Sequence, residues 1–386
     1  MTTFLDLGVS PDIADVLAQR GISAPFAIQE LAIADALAGR DVCGKAKTGS
    51  GKTLAFGLPM LQLSTKAQPG RPTGLCLVPT RELATQVRDE LEPIAAAVDR
   101  SIIAIYGGDP IERQIKLVEN GADIVVCTPG RLIDLIDRKA VSLAAVERVV
   151  IDEADRMADM GFLPQVEWLL RTIERSHQTL LFSATLDGVV DSLVSRYQHD
   201  PARHEVESPT VTVDQMHHRF IAVHEMDRVK VAAAIIASRT RTIVFCATKH
   251  QTDRLARALE AEGVAVAAIH GDLPQRIRER SLKAFSDGEL KAMIATDVAA
   301  RGIHVDDVDA VIHFDPASDH KTYLHRSGRT ARAGTSGVVV TFVLWNQELD
   351  IKRLQKRIGL DEPIVEMFSN DQRLKDLASW SPRGEE

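Results

Sequence analysis

Apolar residues along this chain fall into two alternating patterns. Short runs such as Gly74–Val78, Ile102–Ile105, Asp123–Cys127, Arg148–Ile151 and Thr179–Phe182 are almost continuously apolar, as expected of strands buried on both faces. Between the first two runs, Leu83, Val87, Leu91, Ile94 and Val98 recur three or four apart, which puts them on one stripe of a helix. Such alternation predicts an α/β fold with mainly parallel sheets flanked by helices. The pattern breaks over residues 205–213, which are polar, β-branched and interrupted by Pro209. A second series follows, with strands predicted at Thr242–Cys246, Val266–Ile269, Ala292–Ala295 and Ala310–Phe314. The expected organisation is therefore two tandem domains, 1–205 and 215–362, with a linker at 206–214 and a short polar tail at 363–386.

Size and composition agree with two domains. The chain has 386 residues, 45% hydrophobic and 26% charged, in the range of globular proteins. No stretch reaches the ~18 apolar residues of a membrane span. The segment Met1–Asp6 has neither a basic stretch nor a signal-like apolar core, so a cytoplasmic location is the default expectation. A net charge of -8 and the lack of a Lys/Arg-rich tail argue against nucleic-acid binding by bulk attraction, while leaving room for a local basic groove. Cys43, Cys76, Cys127 and Cys246 show no CxxC spacing and lie in or beside apolar runs, so they read as small core residues in a reducing compartment. His217-His218 reads as surface, Trp168 and Trp345 as packing residues, and Trp380 as part of the tail.

Three segments carry chemistry. Ala46-Lys47-Thr48-Gly49-Ser50-Gly51-Lys52-Thr53 follows a strand pattern and precedes a helical one. Its glycines let backbone N–H groups turn onto phosphate oxygens, Lys52 can reach the β- and γ-phosphates, and Thr53 can ligate Mg²⁺. Ala46 stands where the usual pattern has glycine. Asp152-Glu153-Ala154-Asp155 ends the run Arg148–Ile151. There Asp152 can hold Mg²⁺, directly or through water, and Glu153 can orient or deprotonate attacking water. In His325-Arg326-Ser327-Gly328-Arg329-Thr330-Ala331-Arg332, a helix would put Arg329 and Arg332 on one face, suited to transition-state charge on a γ-phosphate. These arginines lie in the second predicted domain, so the nucleotide site would be complete only when the domains close.

The order of motifs over nearly the whole chain resembles the DEAD-box ATP-dependent RNA helicases of bacterial type, as a helicase core with a short tail. It runs Gln29, the phosphate loop, Pro79–Ala84, Gly107-Gly108, Thr128–Arg131, the acid box and Ser183-Ala184-Thr185. It continues with Phe245–Thr248, His270–Asp272, Ala295–Gly302 and the arginine motif. The resemblance implies two tandem RecA-like domains that use ATP and Mg²⁺. Lys52, Asp152, Glu153, Arg329 and Arg332 would be catalytic, and Thr53 and Asp152 would face the metal. Nucleotide contacts would come from the loop residues Ala46, Lys47, Thr48, Gly49, Ser50, Gly51, Lys52 and Thr53, and from Gly302. Gln29 would read the adenine edge, with Ile22 packed on the base and Phe4 behind it.

The resemblance also implies RNA contacts at Thr80, Arg81, Gly108, Thr128, Arg131, Thr248, Gly271 and Thr296. These are mostly hydroxyl, guanidinium or glycine positions, suited to phosphate and sugar rather than base edges. Contacts to 2′-OH groups would favour RNA over DNA. Asp155, Ser183, Thr185 and His325 would couple the ATP and RNA sides. Phe26-Ala27 replaces the usual Thr-Pro before Ile28-Gln29, His304 stands where an Asp is usual, and Ala331 replaces a Gly.

The expected function is ATP-driven domain closure that locally and non-processively separates short RNA duplexes and remodels RNA–protein complexes. An ATP-gated RNA clamp with little unwinding and a DNA helicase are the rival readings. Expected partners are RNA, bound without sequence preference, and ribonucleoprotein or ribosome-assembly components. A monomer with no membrane association is expected.

Overall fold

A computed structural model describes residues 2–47, 49–186, 188–206, 216–300, 308–330 and 337–383, apart from the side chain of Val298. The chain divides into two compact units, Met1–Ser208 and Pro209–Glu386, each built on one seven-stranded sheet. The first unit contains β1 (Val42–Lys45), β2 (Gly74–Leu77), β3 (Ile102–Ile105), β4 (Ile124–Cys127), β5 (Arg148–Asp152), β6 (Gln178–Ser183) and β7 (Ala202–Glu205). Their order across the sheet is β3-β4-β2-β5-β6-β1-β7, and every pairing is parallel. The two-residue period of a strand sends neighbouring side chains to opposite faces. Cys76, Val126, Val150 and Phe182 accordingly join one core cluster, and Leu75, Val125, Val149 and Leu181 join the other.

The predicted helical stripe is a helix over Arg81–Ala97 with Leu83, Val87, Leu91 and Ile94 buried. Thr80 caps it, its Oγ1 accepting the Leu83 N–H at 3.3 Å. Two parts of this unit differ from the pattern reading. β3 leaves Ile103 and Ala104 only partly buried because it is an edge strand. β7 gave no apolar run because it too is an edge, with Ala202 as its one buried residue.

The second unit contains β8 (Met216–Ala222), β9 (Thr242–Phe245), β10 (Val266–Ile269), β11 (Ala292–Ala295), β12 (Ala310–His313), β13 (Gly337–Val343) and β14 (Ile364–Glu366). The order is β10-β11-β9-β12-β13-β8-β14, again all parallel. Counted from the first strand of each unit, the second sheet repeats the strand order of the first in full. In each, a Thr after the third strand across the sheet caps the next helix, Thr80 after β2 and Thr248 after β9.

The polar tail expected from residue 363 is instead part of this unit. β14 pairs with β8, and Met367, Leu374 and Leu377 are buried in its core. Arg219 on β8 fastens the segment, donating from Nε to the Leu377 carbonyl at 2.9 Å and from a terminal nitrogen to the Trp380 carbonyl at 2.6 Å. Its guanidinium lies 5.5 Å from the Trp380 ring centre. His218 is also buried rather than at the surface, with Nδ1 2.7 Å from the Tyr323 hydroxyl. Trp168 and Trp345 are exposed, Trp345 by 91%, so neither is the packing residue that the sequence led one to expect. Among the described residues no helix is long and apolar enough to cross a membrane.

Because Leu377 is fully buried among residues of other elements, Leu377→Ala should destabilise the second unit by about 2–5 kcal/mol. At ~2–4 °C per kcal/mol for a unit of this size, calorimetry should show one transition lowered by several degrees. An unmoved thermogram would return residues 363–383 to the status of a tail.

Candidate active site

In a parallel sheet every strand delivers its following loop to the same edge, and ligands of open α/β sheets bind there. In the first unit that edge collects nearly all the predicted motifs. Following the strand order, Gly108 comes after β3, Thr128 and Arg131 after β4, Thr80 and Arg81 after β2, the acid box at the end of β5, Ser183 and Thr185 at the end of β6, and the phosphate loop after β1. At about 4.8 Å per strand the row spans roughly 24 Å.

The phosphate loop joins β1 to the helix Lys52–Leu63. Gly49 and Gly51 have φ of 85° and 84°, left-handed values that a side chain would strain. Gly51 is also crowded: a Cβ there would collide with Gln29 Nε2 and stand 2.6 Å from Phe26 Cδ2. The Gln29 amide is buried and spans two segments. Its Oε1 accepts the Phe26 N–H at 2.8 Å, and its Nε2 donates to the Gly51 carbonyl at 2.9 Å. Lys52 is buried at the helix start and donates to the Ala46 carbonyl at 2.9 Å. The Ser50 hydroxyl donates to the Lys47 carbonyl at 2.7 Å. Thr48 lies outside the described residues.

Asp152 and Glu153 are buried at the tip of β5. Glu153 takes a left-handed backbone with φ 53° and ψ 50°, a conformation that costs a non-glycine residue about 1–3 kcal/mol. Its carboxylate is fixed by Arg156, 2.6 Å away. Ser183, fully buried, ties two motifs together. Its carbonyl accepts the Ala46 N–H at 3.0 Å and its hydroxyl accepts the Asp155 N–H at 3.2 Å. Thr185 completes the link, with its N–H donating to Asp155 Oδ2 at 3.1 Å.

Further along the edge, Arg81 lies so close to Gly108 (φ 90°) that a Cβ on the glycine would collide with its guanidinium. Arg131 donates to the Asp109 carbonyl at 3.0 Å and to Gln114 Oε1 at 3.1 Å. Buried Gln114 in turn donates to the Tyr106 carbonyl at 2.9 Å. Thr128 and Thr80 are the N-cap residues of their helices.

Ile22 is half-buried and Phe4 buried, both in the same apolar cluster. In the second unit Gly271, Thr296 and Thr248 follow the neighbouring strands β10, β11 and β9. His325 is an exposed residue of the helix His320–Ser327. That helix stops at Ser327, so Arg329 lies beyond it, donating from Nε to the His325 carbonyl at 3.3 Å. The shared helix face expected for Arg329 and Arg332 therefore does not form at Arg329. Arg332, Gly302, His304 and Ala331 lie outside the described residues.

Two family models match the chain. Residues 26–193 match the DEAD/DEAH box helicase family model and residues 226–334 the helicase conserved C-terminal domain. The DEAD-box ATP-dependent RNA helicase CshA of Bacillus cereus is 38% identical over 97% of this chain and 73% of its own length. The chain belongs to the DEAD-box ATP-dependent RNA helicase family. The mitochondrial DEAD-box ATP-dependent RNA helicase 9 of Arabidopsis thaliana is 40% identical over 92% of this chain and 59% of its own. Among solved structures, S. cerevisiae Dbp5 bound to RNA and ADP BeF3 matches with a TM-score of 0.81 and 29% identity, covering 98% of this chain and 100% of that one.

The donor set of the acid box fits the divalent cation expected there. Burial pushes the Asp152 carboxyl up to about 7, Lys52 opposes that rise and Glu153 adds to it. A buried carboxylate undercompensated by its neighbours favours an added cation. The Thr53 hydroxyl meets Glu90, whose carboxyl burial raises and this hydrogen bond lowers. Three supporting residues escaped the sequence reading: Arg156, Glu90 and Gln114. Only Arg156 left a local signal, three residues after Glu153 on the helix Ala154–Asp159.

Because Asp152 holds its proton more tightly in the ligand-free fold than when unfolded, stability on its account is full below about pH 4. It is lost as pH rises to about 7. The melting temperature of Asp152→Asn minus that of the wild type, without ligand, should therefore grow by several degrees between pH 5 and 7.5 and then level off. A pH-independent difference would contradict the assigned environment.

Proposed function

We propose that this protein hydrolyses ATP with Mg²⁺ at the phosphate loop and acid box, and uses the cycle to separate short RNA duplexes and remodel RNA–protein complexes. Support comes chiefly from Ser183, one buried residue bonded to both the loop and the acid box. Its neighbour Thr185 lies on the edge that continues to Thr80, Arg81, Gly108, Thr128 and Arg131. Mg²⁺, held by Asp152 and Thr53, would neutralise charge on the phosphates. Lys52 binds the phosphates, Gln29 the adenine edge, and Glu153 takes the proton of the attacking water. Arg329 and Arg332, from the second unit, stabilise the transition state, so closure of the two units gates turnover.

RNA is held by phosphate and sugar contacts to Thr80, Arg81, Gly108, Thr128 and Arg131 of the first unit and to Thr248, Gly271 and Thr296 of the second, and Asp155, Ser183, Thr185 and His325 couple RNA binding to ATP. Separating ten base pairs forfeits about 14 kcal/mol at ~1.4 kcal/mol per step, so one closure suits short duplexes and not processive unwinding. Four free buried thiols suit a reducing compartment such as the cytoplasm. The protein acts as a monomer on ribonucleoprotein targets, ribosome-assembly particles among them.

Glu153→Gln keeps size and hydrogen bonding but cannot accept a proton. Its kcat for ATP should fall at least about 100-fold, with ATP and RNA affinities within about twofold of wild type. Wild-type turnover in the variant would remove Glu153 from this role. In nuclease-treated wild-type protein, ATPase should be slow and rise strongly with added RNA. Equal rates with and without RNA would contradict gating by closure.

A further inference from the structure

Phe26 is a phenylalanine left 62% exposed at the start of the helix Ala27–Leu37. Its backbone is fully committed. The carbonyl accepts the N–H groups of Gln29 and Glu30 at 2.8 and 2.9 Å, and its own N–H is held by Gln29 Oε1 at 2.8 Å. The ring therefore projects from a fixed point. Scattered exposed apolar residues are ordinary, but this one sits at the lip of the phosphate loop. Its Cδ2 lies 2.6 Å from where a Cβ of Gly51 would stand, beside the buried Gln29 amide.

Gln29 uses one donor on Gly51 and one acceptor position on Phe26, which leaves its amide a second N–H and a second lone pair. A planar heterocycle engaging those groups, with its phosphates in the loop, would bring a face towards the Phe26 ring. Ile22, by contrast, is aliphatic and half-buried against the apolar cluster, and it has no π-face to offer.

We propose that Phe26 is the aromatic platform on which the nucleotide base stacks in this chain. The inference rests on the ATP-binding reading above. The exposed ring would then be covered on nucleotide binding, and the aromatic contact to the base would come from the helix start rather than from Ile22.

Isothermal titration of the full chain with ADP and, separately, with inorganic tripolyphosphate, both with MgCl2, tests this. Phe26→Ala should weaken ADP binding about tenfold, or about 1.4 kcal/mol, and leave tripolyphosphate binding within twofold. Phe26→Trp should retain ADP affinity and acquire a tryptophan emission that ADP quenches saturably and tripolyphosphate does not. Unchanged ADP affinity in Phe26→Ala, or equal losses for both ligands, would overturn the assignment, the second outcome making Phe26 a prop of the loop. A wild type that binds tripolyphosphate but not ADP would remove the nucleotide reading itself, and the platform with it.

Discussion

Parallel strands impose one constraint on which the rest depends: their loops all emerge at one edge of the sheet. In the first unit this brings residues as distant in sequence as Ala46, Arg131 and Ser183 to a common row. The inner strands β4, β2, β5, β6 and β1 are paired on both sides, so the row rests on the most fixed part of the unit. Polar groups that would be costly to bury alone can then be buried in pairs: Lys52 on a carbonyl, Glu153 on Arg156, and Gln114 between Arg131 and the Tyr106 carbonyl.

Hydrogen bonds join the two halves of this row at its centre. β5 and β6 lie between the strand that leads to the phosphate loop and the three that lead to the candidate RNA residues. Asp155, Ser183 and Thr185 bond across that junction. A change in where the acid box sits would be felt at Thr185 through one carboxylate and at Ala46 through one carbonyl. Glu153, at the same place, is one of four left-handed non-glycine residues among those described, with Asp99, Lys139 and Asp200, and the only one of them in the candidate site, while Gly49 and Gly51 take such values without strain.

Much of this was legible in the sequence because the deciding signals are local. The phosphate loop needs its glycines in sequence, the acid box needs to end an apolar run, and buried parallel strands need four or five apolar residues together. What escaped depends on partners far along the chain. Residues 363–383 read as a tail because their apolar residues are few, yet Arg219, 158 residues before Leu377, secures them. His218 read as surface because its partner Tyr323 is 105 residues away. The early end of the helix before Arg329 had a signal in Gly328, a residue type that often ends helices, but the basic pattern suggested a longer one. Phe26 was visible as a departure from the family pattern, and only its position beside Gly51 gave that departure a meaning.

In the proposed cycle, ATP and RNA act on one another through this chain. Binding linkage makes that coupling reciprocal. The most direct test is a complete thermodynamic cycle on one preparation: affinity for a single-stranded RNA with and without a non-hydrolysable ATP analogue, and affinity for the analogue with and without the RNA. Each ligand should tighten the other by the same factor, at least about tenfold, for RNAs of unrelated sequence and equal length. A factor of one in both directions would mean that ATP and RNA bind this chain independently, with no coupling between them.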